Sequence, residues 1–211
     1  MSQLPELTLP EFTRRLEGAA RGAGLSREAM VSLWGHYLEL VRWAERIDLV
    51  GPSAAIDGVE RHYAEALLAL AWLPGAGSSL VDIGSGAGFP GFVLAAARPD
   101  LRATLVEPRQ RRWAFLEAAR RRAGLSCRCL NARVDALLPP GLPDTIDVIT
   151  LRALRLSPSV LDALAGRMPP GAQLLAWSGT DEPTLSASFE PGRSLRVPGS
   201  KNRYLREARR R

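Results

Sequence analysis

The sequence predicts an α/β fold with a mostly parallel seven-stranded sheet, an antiparallel C-terminal hairpin and an N-terminal helical cap. A short apolar run at residues 80–83 is followed by a glycine-rich turn and a helix, which together form half of a βαβ unit. Strands and helices then alternate to residue 177, as in a parallel sheet. The last two predicted strands, 194–197 and 203–207, are joined by a turn that is too short for a helical crossover.

The chain is long enough for one α/β domain with an extension. It has 211 residues and an ordinary apolar content of 46%. No apolar run approaches the length of a membrane span, and the N-terminus lacks the apolar core of a signal peptide. The two cysteines, Cys127 and Cys129, fit a reducing compartment. We therefore expect a cytoplasmic protein that does not contact the membrane.

Positive charge is in excess and is clustered. The formal net charge is +6, and Lys201 is the only lysine. A GC-rich genome would account for arginine as the basic residue but not for the surplus. The basic residues gather at 109–112, 120–122 and 201–211, which suits a partner with a phosphate backbone.

Residues 1–75 form the predicted cap, and residues 76–211 form the α/β domain. Helices are expected at 11–21, 27–45 and 56–73, with Ser26 as the N-cap of the second helix. His36 falls on the predicted outer face of that helix and is expected to have no role. His62, next to the apolar stripe of the third helix, is a candidate for orienting a substrate, with a structural histidine as the alternative.

The α/β domain contains five predicted strands before the hairpin. They lie at 80–83, 102–106, 126–130, 146–151 and 173–177. The helices between them are expected at 92–97, 108–122, 133–138 and 157–168, the third of which is stopped by two prolines.

The glycine turn matches two ligand-binding patterns. Gly86, Gly88 and Gly91 fit the dinucleotide fingerprint, whereas Gly84, Gly86 and Gly88 fit the pattern of S-adenosylmethionine-dependent methyltransferases. Asp82 ends the strand before the turn and is expected to face the ligand cleft. Its carboxylate would repel a pyrophosphate and attract a sulfonium compound that carries an ammonium group. The closing hairpin also favours a methyltransferase over a dehydrogenase.

Further candidate residues follow the next three strands. Glu107 ends the second strand, where an acid can accept both ribose hydroxyls of an adenosine; a solvated acid is the alternative. Val134 and Asp135 follow the third strand and could meet the adenine, unless Asn131 or Asp135 serves the start of a helix. Arg152 follows the fourth strand and could hold a phosphate or a guanine edge, with a surface salt bridge as the alternative. The sequence contains no catalytic triad, metal-ligand spacing or P-loop.

The chain resembles the GidB-type (glucose-inhibited division protein B) bacterial methyltransferases, which act on a guanine N7 in 16S, the small-subunit ribosomal RNA. The resemblance spans roughly residues 25–180. Its most specific part is residues 81–91, where the Phe-Pro-Gly ending is more diagnostic than the glycines. It continues at Arg61-His62, Leu105-Val106-Glu107, Arg133-Val134 and Leu151-Arg152-Ala153.

The resemblance implies a class I, Rossmann-like methyltransferase fold, S-adenosylmethionine as the methyl donor and ribosomal RNA or a small ribosomal subunit as the partner. It places Gly84 and Phe89 against the donor, Val134 and Asp135 beside the adenine, and Arg152 at the donor or the target guanine. Arg61 and His62 would face the RNA. We expect a monomer. Departures from the family pattern lie at Ala44, Asp48, Glu65, Ala66 and Ser178, so a methyltransferase with a different RNA or a non-RNA acceptor is the alternative.

Overall fold

The computed structural model describes residues 4–51, 60–135 and 137–211. Seven strands form one sheet in the order β3-β2-β1-β4-β5-β7-β6. The strand bounds are β1 Ser79–Ile83, β2 Arg102–Val106, β3 Arg128–Leu130, β4 Val148–Arg152, β5 Gln173–Ser178, β6 Phe189–Arg196 and β7 Tyr204–Arg210. The helix bounds are α1 Leu9–Ala19, α2 Arg27–Ala44, α3 Glu60–Leu67, α4 Gly91–Ala97, α5 Gln110–Ala123 and α6 Pro158–Ala165, with a 3₁₀ turn at Leu68–Trp72.

The sheet is parallel from β1 to β5 and antiparallel at its end. β1 pairs with both β2 and β4, so its carboxyl end lies where the strand order reverses. Ligands of open α/β sheets bind at such a reversal. β7 inserts antiparallel between β5 and β6. The predicted architecture is confirmed, and both hairpin strands are longer than the sequence indicated.

Local signals explain where the helices begin and end. The Ser26 hydroxyl accepts a hydrogen bond from the Ala29 amide at 3.1 Å, which caps α2. Thr8 and Glu11 form a capping box at the start of α1. Gly124 ends α5 in the left-handed conformation with φ +66°, which glycine adopts without a steric penalty.

Two groups of buried side chains cover the two faces of the sheet. On one face, residues of α1, α2 and α3 share a single cluster with α4, α5 and Leu80 of β1. On the other face, α6 packs against Val81, Ile83 and residues of β4 and β5. The predicted cap of residues 1–75 and the predicted methyltransferase domain of residues 76–211 thus contribute to one shared core. Their division into two parts stays a prediction.

Two predicted helices differ from the structure. The third helix is helical from Glu60, whereas residues 56–59 of the prediction lie outside the described residues. The helix predicted at 133–138 is absent among the described residues of that stretch, which form bends and coil. Asn131 does not cap a helix there, because its amide donates to the carbonyls of Glu107 and Pro108.

Candidate active site

The glycine turn after β1 is fixed by hydrogen bonds to the end of β2. Gly84, Gly86 and Gly88 have φ values of +74°, +54° and +84°, which side-chain-bearing residues rarely adopt. The amides of Gly84 and Ser85 both donate to the Val106 carbonyl, at 2.8 and 3.1 Å. The turn therefore holds its backbone against the carboxyl edge of the sheet.

Gly91 serves packing. A Cβ on Gly91 would lie 2.3 Å from the Asp82 Cβ and 2.6 Å from a Leu105 methyl carbon. Only the missing side chain lets α4 start this close to β1 and β2. The other three glycines of the turn, Gly84, Gly86 and Gly88, all have positive φ, and they are the glycines of the methyltransferase pattern.

Asp82 lies beneath the turn and is buried, with 1% of its surface exposed. Its Oδ1 accepts a hydrogen bond from the Thr150 hydroxyl at 2.6 Å. Its Oδ2 is buried and receives no hydrogen bond from the described part of the chain. Burial raises the pKa of Asp82 to about 6, although the Thr150 and Ser85 hydroxyls, the Gly91 amide and the charge of Arg152 oppose the rise. A carboxylate oxygen in this state is an acceptor that a cationic ligand group would satisfy.

Glu107 is also buried and links β2 to the glycine turn. Its Oε2 accepts from the Gly86 amide at 2.9 Å, and its Oε1 accepts from the Arg109 amide at 2.8 Å. The alternative of a solvated acid is thereby excluded. Each carboxylate oxygen keeps a second lone pair, so the group can still accept hydroxyl donors.

Val134 and Asp135 lie in the coil after β3. Val134 is half-buried and packs against the core cluster on the α6 face of the sheet. Asp135 is exposed, and its Oδ1 accepts from the Leu137 amide at 2.9 Å. Asp135 therefore holds a local turn, and neither residue takes part in a helix.

Arg152 and His62 meet at the end of β4, a contact that the sequence analysis did not predict. The Arg152 Nη2 lies 2.7 Å from the His62 Nδ1 and 2.9 Å from the Glu65 Oε2. Burial, with neighbouring arginines, lowers the pKa of His62 to about 3. His62 is therefore neutral at pH 7 and accepts a hydrogen bond from Arg152. Arg152 does form the salt bridge that the alternative described, but with the buried Glu65 and not at the surface.

Glu65 is a site residue that sequence reasoning assigned no role. Its carboxylate pairs with Arg152, Arg203 and Arg61, at 2.9, 2.5 and 3.5 Å. These arginines come from the end of β4, the hairpin turn and α3. One buried carboxylate thus gathers three guanidinium groups beside the glycine turn and leaves the cluster with a net positive charge.

Phe89 points away from the surface of the turn. Only 7% of it is exposed, and its ring packs edge-on against Tyr63, with centroids 5.0 Å apart. The Arg152 guanidinium carbon lies 5.7 Å from the ring centroid. Phe89 therefore packs against both Arg152 and His62. The side chain that approaches the Gly84 backbone is Leu154, whose methyl carbon lies 3.1 Å from where a Gly84 Cβ would lie.

His36 corrects a prediction, because it is completely buried and not on an outer face. Its Nδ1 lies 2.6 Å from the Tyr63 hydroxyl and its Nε2 lies 2.9 Å from the Ala87 carbonyl of the glycine turn. Burial lowers the pKa of His36 to about 4. The helix α2 is packed on more than one side. The sequence feature that could have predicted this packing is Gly35, whose missing side chain lets Ala123 of α5 come close.

The residues around the turn fit S-adenosylmethionine. The unpartnered Asp82 oxygen suits the ammonium group of the methionine part, and Glu107 suits ribose hydroxyls. Gly84 and Gly86 carry no side chain of their own, so their backbone is open to the close approach of a ligand. The same buried carboxylate disfavours a pyrophosphate.

Comparisons with known proteins identify one family. The family model GidB, described as rRNA small subunit methyltransferase G, matches residues 31–184. A ribosomal RNA small subunit methyltransferase G from Methylobacterium sp. (strain 4-46) is 40% identical over 160 residues, covering 74% of this chain and 68% of the relative. The protein of that name from Paramagnetospirillum magneticum is 36% identical over 201 residues, covering 89% of this chain and 93% of the relative.

Solved structures show the same fold at low sequence identity. A SAM dependent methyltransferase from Aquifex aeolicus aligns with a TM-score of 0.58 at 17% identity, over 76% of this chain and 94% of that one. MtNAS in complex with MTA and tNA aligns with a TM-score of 0.60 at 17% identity, over 99% and 91% of the two chains.

The chain belongs to the GidB family of small-subunit ribosomal RNA methyltransferases. The predicted family, class I fold, enzyme class and methyl donor are confirmed. The alternative of a dinucleotide-dependent oxidoreductase is wrong.

Proposed function

We propose that this chain, as a member of that family, transfers a methyl group from S-adenosylmethionine to N7 of a guanine in small-subunit ribosomal RNA. We further propose that it acts in the cytoplasm as a monomer. The observation that carries the assignment is the buried Asp82 carboxylate beneath the glycine turn, with an unpartnered oxygen among the described residues. Within those residues, no helix is both apolar enough and long enough to span a membrane.

In this proposal, Asp82 holds the ammonium group of the donor and Glu107 holds its ribose. Gly84, Gly86 and Gly88 bring the backbone close to the donor, while Val134 and Asp135 flank the adenine. The donor supplies a methyl group on a positively charged sulfur, which is a good leaving group. The protein's contribution is to place the acceptor atom in line with that methyl group.

Guanine N7 suits the groups that surround the turn. N7 carries a free lone pair, so the acceptor needs no general base. His62 is neutral and already accepts from Arg152, and Glu107 already accepts two backbone amides. These groups are arranged for holding and orienting. Arg152 and His62 would contact the target nucleotide, and Phe89 would keep both in place.

The positive cluster around Glu65 supports an RNA acceptor. Arg61, Arg152 and Arg203 converge there, and Lys201 extends the positive charge along the hairpin turn. Guanidinium groups bind phosphate oxygens with paired hydrogen bonds. RNA affinity should therefore fall steeply as the salt concentration rises.

Calorimetry tests the donor half of the site. S-adenosylhomocysteine should bind and NADH should not. Asp82→Asn keeps the shape and the Thr150 hydrogen bond but puts an NH2 group, which donates and cannot accept, at the Oδ2 position. The affinity for S-adenosylhomocysteine should therefore fall roughly 10- to 100-fold. Asp147→Asn is the matched control, because the Asp147 carboxylate accepts from the Ser79 amide at the opposite end of β1, away from the glycine turn. Equal affinity of the two variants would remove the role of Asp82.

Methylation of small ribosomal subunits tests the acceptor. Subunits from a strain that lacks this gene should accept labelled methyl groups. Borohydride reduction followed by aniline cleaves RNA at 7-methylguanine, so a new break at one guanine is expected. Label in the RNA without such a break would contradict N7, and label in protein alone would contradict an RNA acceptor.

A further inference from the structure

A cavity of about 350 Å³ lies between the carboxyl ends of β4 and β5. This volume is near the lower end of the range for small-molecule sites, roughly 300–1,000 Å³. Its floor is apolar and includes Leu151, Leu161 and Leu174. Charged groups, among them Arg155 and Asp181, stand at its rim and are mostly exposed. A flat apolar group with a polar edge would match this lining.

The two walls of the cavity are built by hydrogen bonds. One wall is the segment 178–182, which the Arg206 guanidinium holds through the Ser178 hydroxyl and the carbonyls of Gly179, Thr180 and Asp181. The other wall is the segment 153–156. The Arg155 Nη2 and the Asp181 Oδ2 connect the walls across the rim at 3.0 Å.

The cavity adjoins the donor site. Ala153 has φ +53°, a value that is strained for a residue with a side chain, and it turns the chain sharply after β4. Leu154, the next residue, lines the cavity and also approaches the Gly84 position at 3.1 Å. A ligand in the cavity and a ligand on the glycine turn would therefore share Leu154 as a common wall.

We propose that this cavity takes the target guanine base and that Asp181 reads its Watson–Crick edge. The proposal rests on the proposed function, since it names the acceptor pocket of the same enzyme. The N1–H and N2–H groups of guanine both donate, so one carboxylate accepts both, while Arg155 donates to O6. The Arg155–Asp181 pair is exposed, with 76% of each side chain accessible, and such a pair costs little to open.

The same geometry rejects adenine. Adenine presents an N1 acceptor where guanine presents a donor, so its lone pair would face the Asp181 carboxylate. N7 lies on the Hoogsteen edge of guanine, so contacts to the Watson–Crick edge leave N7 free to accept the methyl group. Asp181 is then a specificity-determining residue of the acceptor pocket.

The test compares methyl transfer to undermethylated small subunits by Asp181→Asn and by Asp100→Asn. Asp100 serves as the control, because it also forms an ion pair, a partly exposed one with Arg98, at the opposite end of the sheet. We expect kcat/KM of Asp181→Asn to fall roughly 10- to 100-fold, as for the loss of a bidentate base contact. The affinity for S-adenosylhomocysteine and the melting temperature should stay at the wild-type values.

A charge swap separates base reading from a structural clamp. The double variant Arg155→Asp with Asp181→Arg restores the ion pair but moves the carboxylate. It should stay as inactive as Asp181→Asn. Recovery of activity in the swap would overturn the proposal. Glu182 also lines the cavity, so a Glu182→Gln variant that loses methyl transfer while Asp181→Asn keeps it would overturn the proposal too. If the wild-type enzyme itself leaves RNA unmethylated, the proposed function fails. If the wild type methylates RNA and the Asp181 variants are equally active, the pocket assignment alone fails.

Discussion

Gly91→Ala should destabilise the protein, because the added methyl group has no space. The new Cβ would lie 2.3 Å from the Asp82 Cβ, 2.6 Å from the Asp82 Cγ and 2.6 Å from the Leu105 Cδ2. Real Cβ contacts do not come this close, and both neighbours are buried side chains on adjacent strands. Helix α4 would have to move away from the sheet.

The expected cost follows from overpacking. Added methylenes in a packed core cost about 1–3 kcal/mol. For a chain of this size, each kcal/mol lowers the melting temperature by roughly 2–4 °C. Since the displaced group is Asp82, the affinity for S-adenosylhomocysteine should fall together with the stability.

Urea denaturation of the donor-free protein measures the effect, with Gly18→Ala as the control. A Cβ on Gly18 meets no atom within 4 Å, and the residue lies inside α1. Alanine there should raise the free energy of unfolding, by up to about 1 kcal/mol. A Gly91→Ala protein that is as stable as the wild type would refute the packing argument.

Three further predictions concern buried polar groups. His36→Leu should lower the free energy of unfolding by about 1–3 kcal/mol for each partner it leaves unpaired, namely the Tyr63 hydroxyl and a turn carbonyl; thermal melts that match the wild type would contradict this. Because the folded-state pKa of Asp82, about 6, lies above its ordinary value of 3.8, its contribution to stability is present below pH 4 and is lost as the pH rises through 6. Asp82→Asn should therefore be about 3 kcal/mol more stable than the donor-free wild type in urea titrations at pH 8, and a less stable variant would reject the argument. Glu65→Gln should lower the free energy of unfolding by about 3–5 kcal/mol, because Arg152 and two other arginines lose the charge of their buried partner. Glu65→Asp keeps the charge and should lower it less. Equal losses for the two variants in chemical denaturation would count against the ion pairs.

The sequence predicted the sheet well because its signals are local. Residues 80–83 and 102–106 are apolar runs between turn residues, and both are strands with nearly the predicted bounds. The sequence also predicted a helix over the short segment 133–138. The Asn131 amide, however, donates to the Glu107 and Pro108 carbonyls after β2 instead of capping a helix. Tertiary hydrogen bonds of this kind leave no pattern in the sequence.

The candidate site was predicted in part. Glycine spacing identified the turn, and the strand ends identified Asp82, Glu107 and Arg152. The partners were not predictable, since Glu65 meets Arg152 across 87 positions in the chain. Helical periodicity placed His36 outside because it assumes one packed face, whereas α2 packs against α1, α4 and α5.

The hydrogen bond from His36 to the Ala87 carbonyl has a consequence for trimming this enzyme. It ties a helix near the start of the chain to the loop on which the methyl donor would sit. A fragment that starts at residue 76 would lose this tie and uncover Phe89 and Phe92, which pack against the same imidazole ring. A minimal catalytic half is therefore not available to protein engineers, and fusions or tags belong at the chain ends rather than between the two parts.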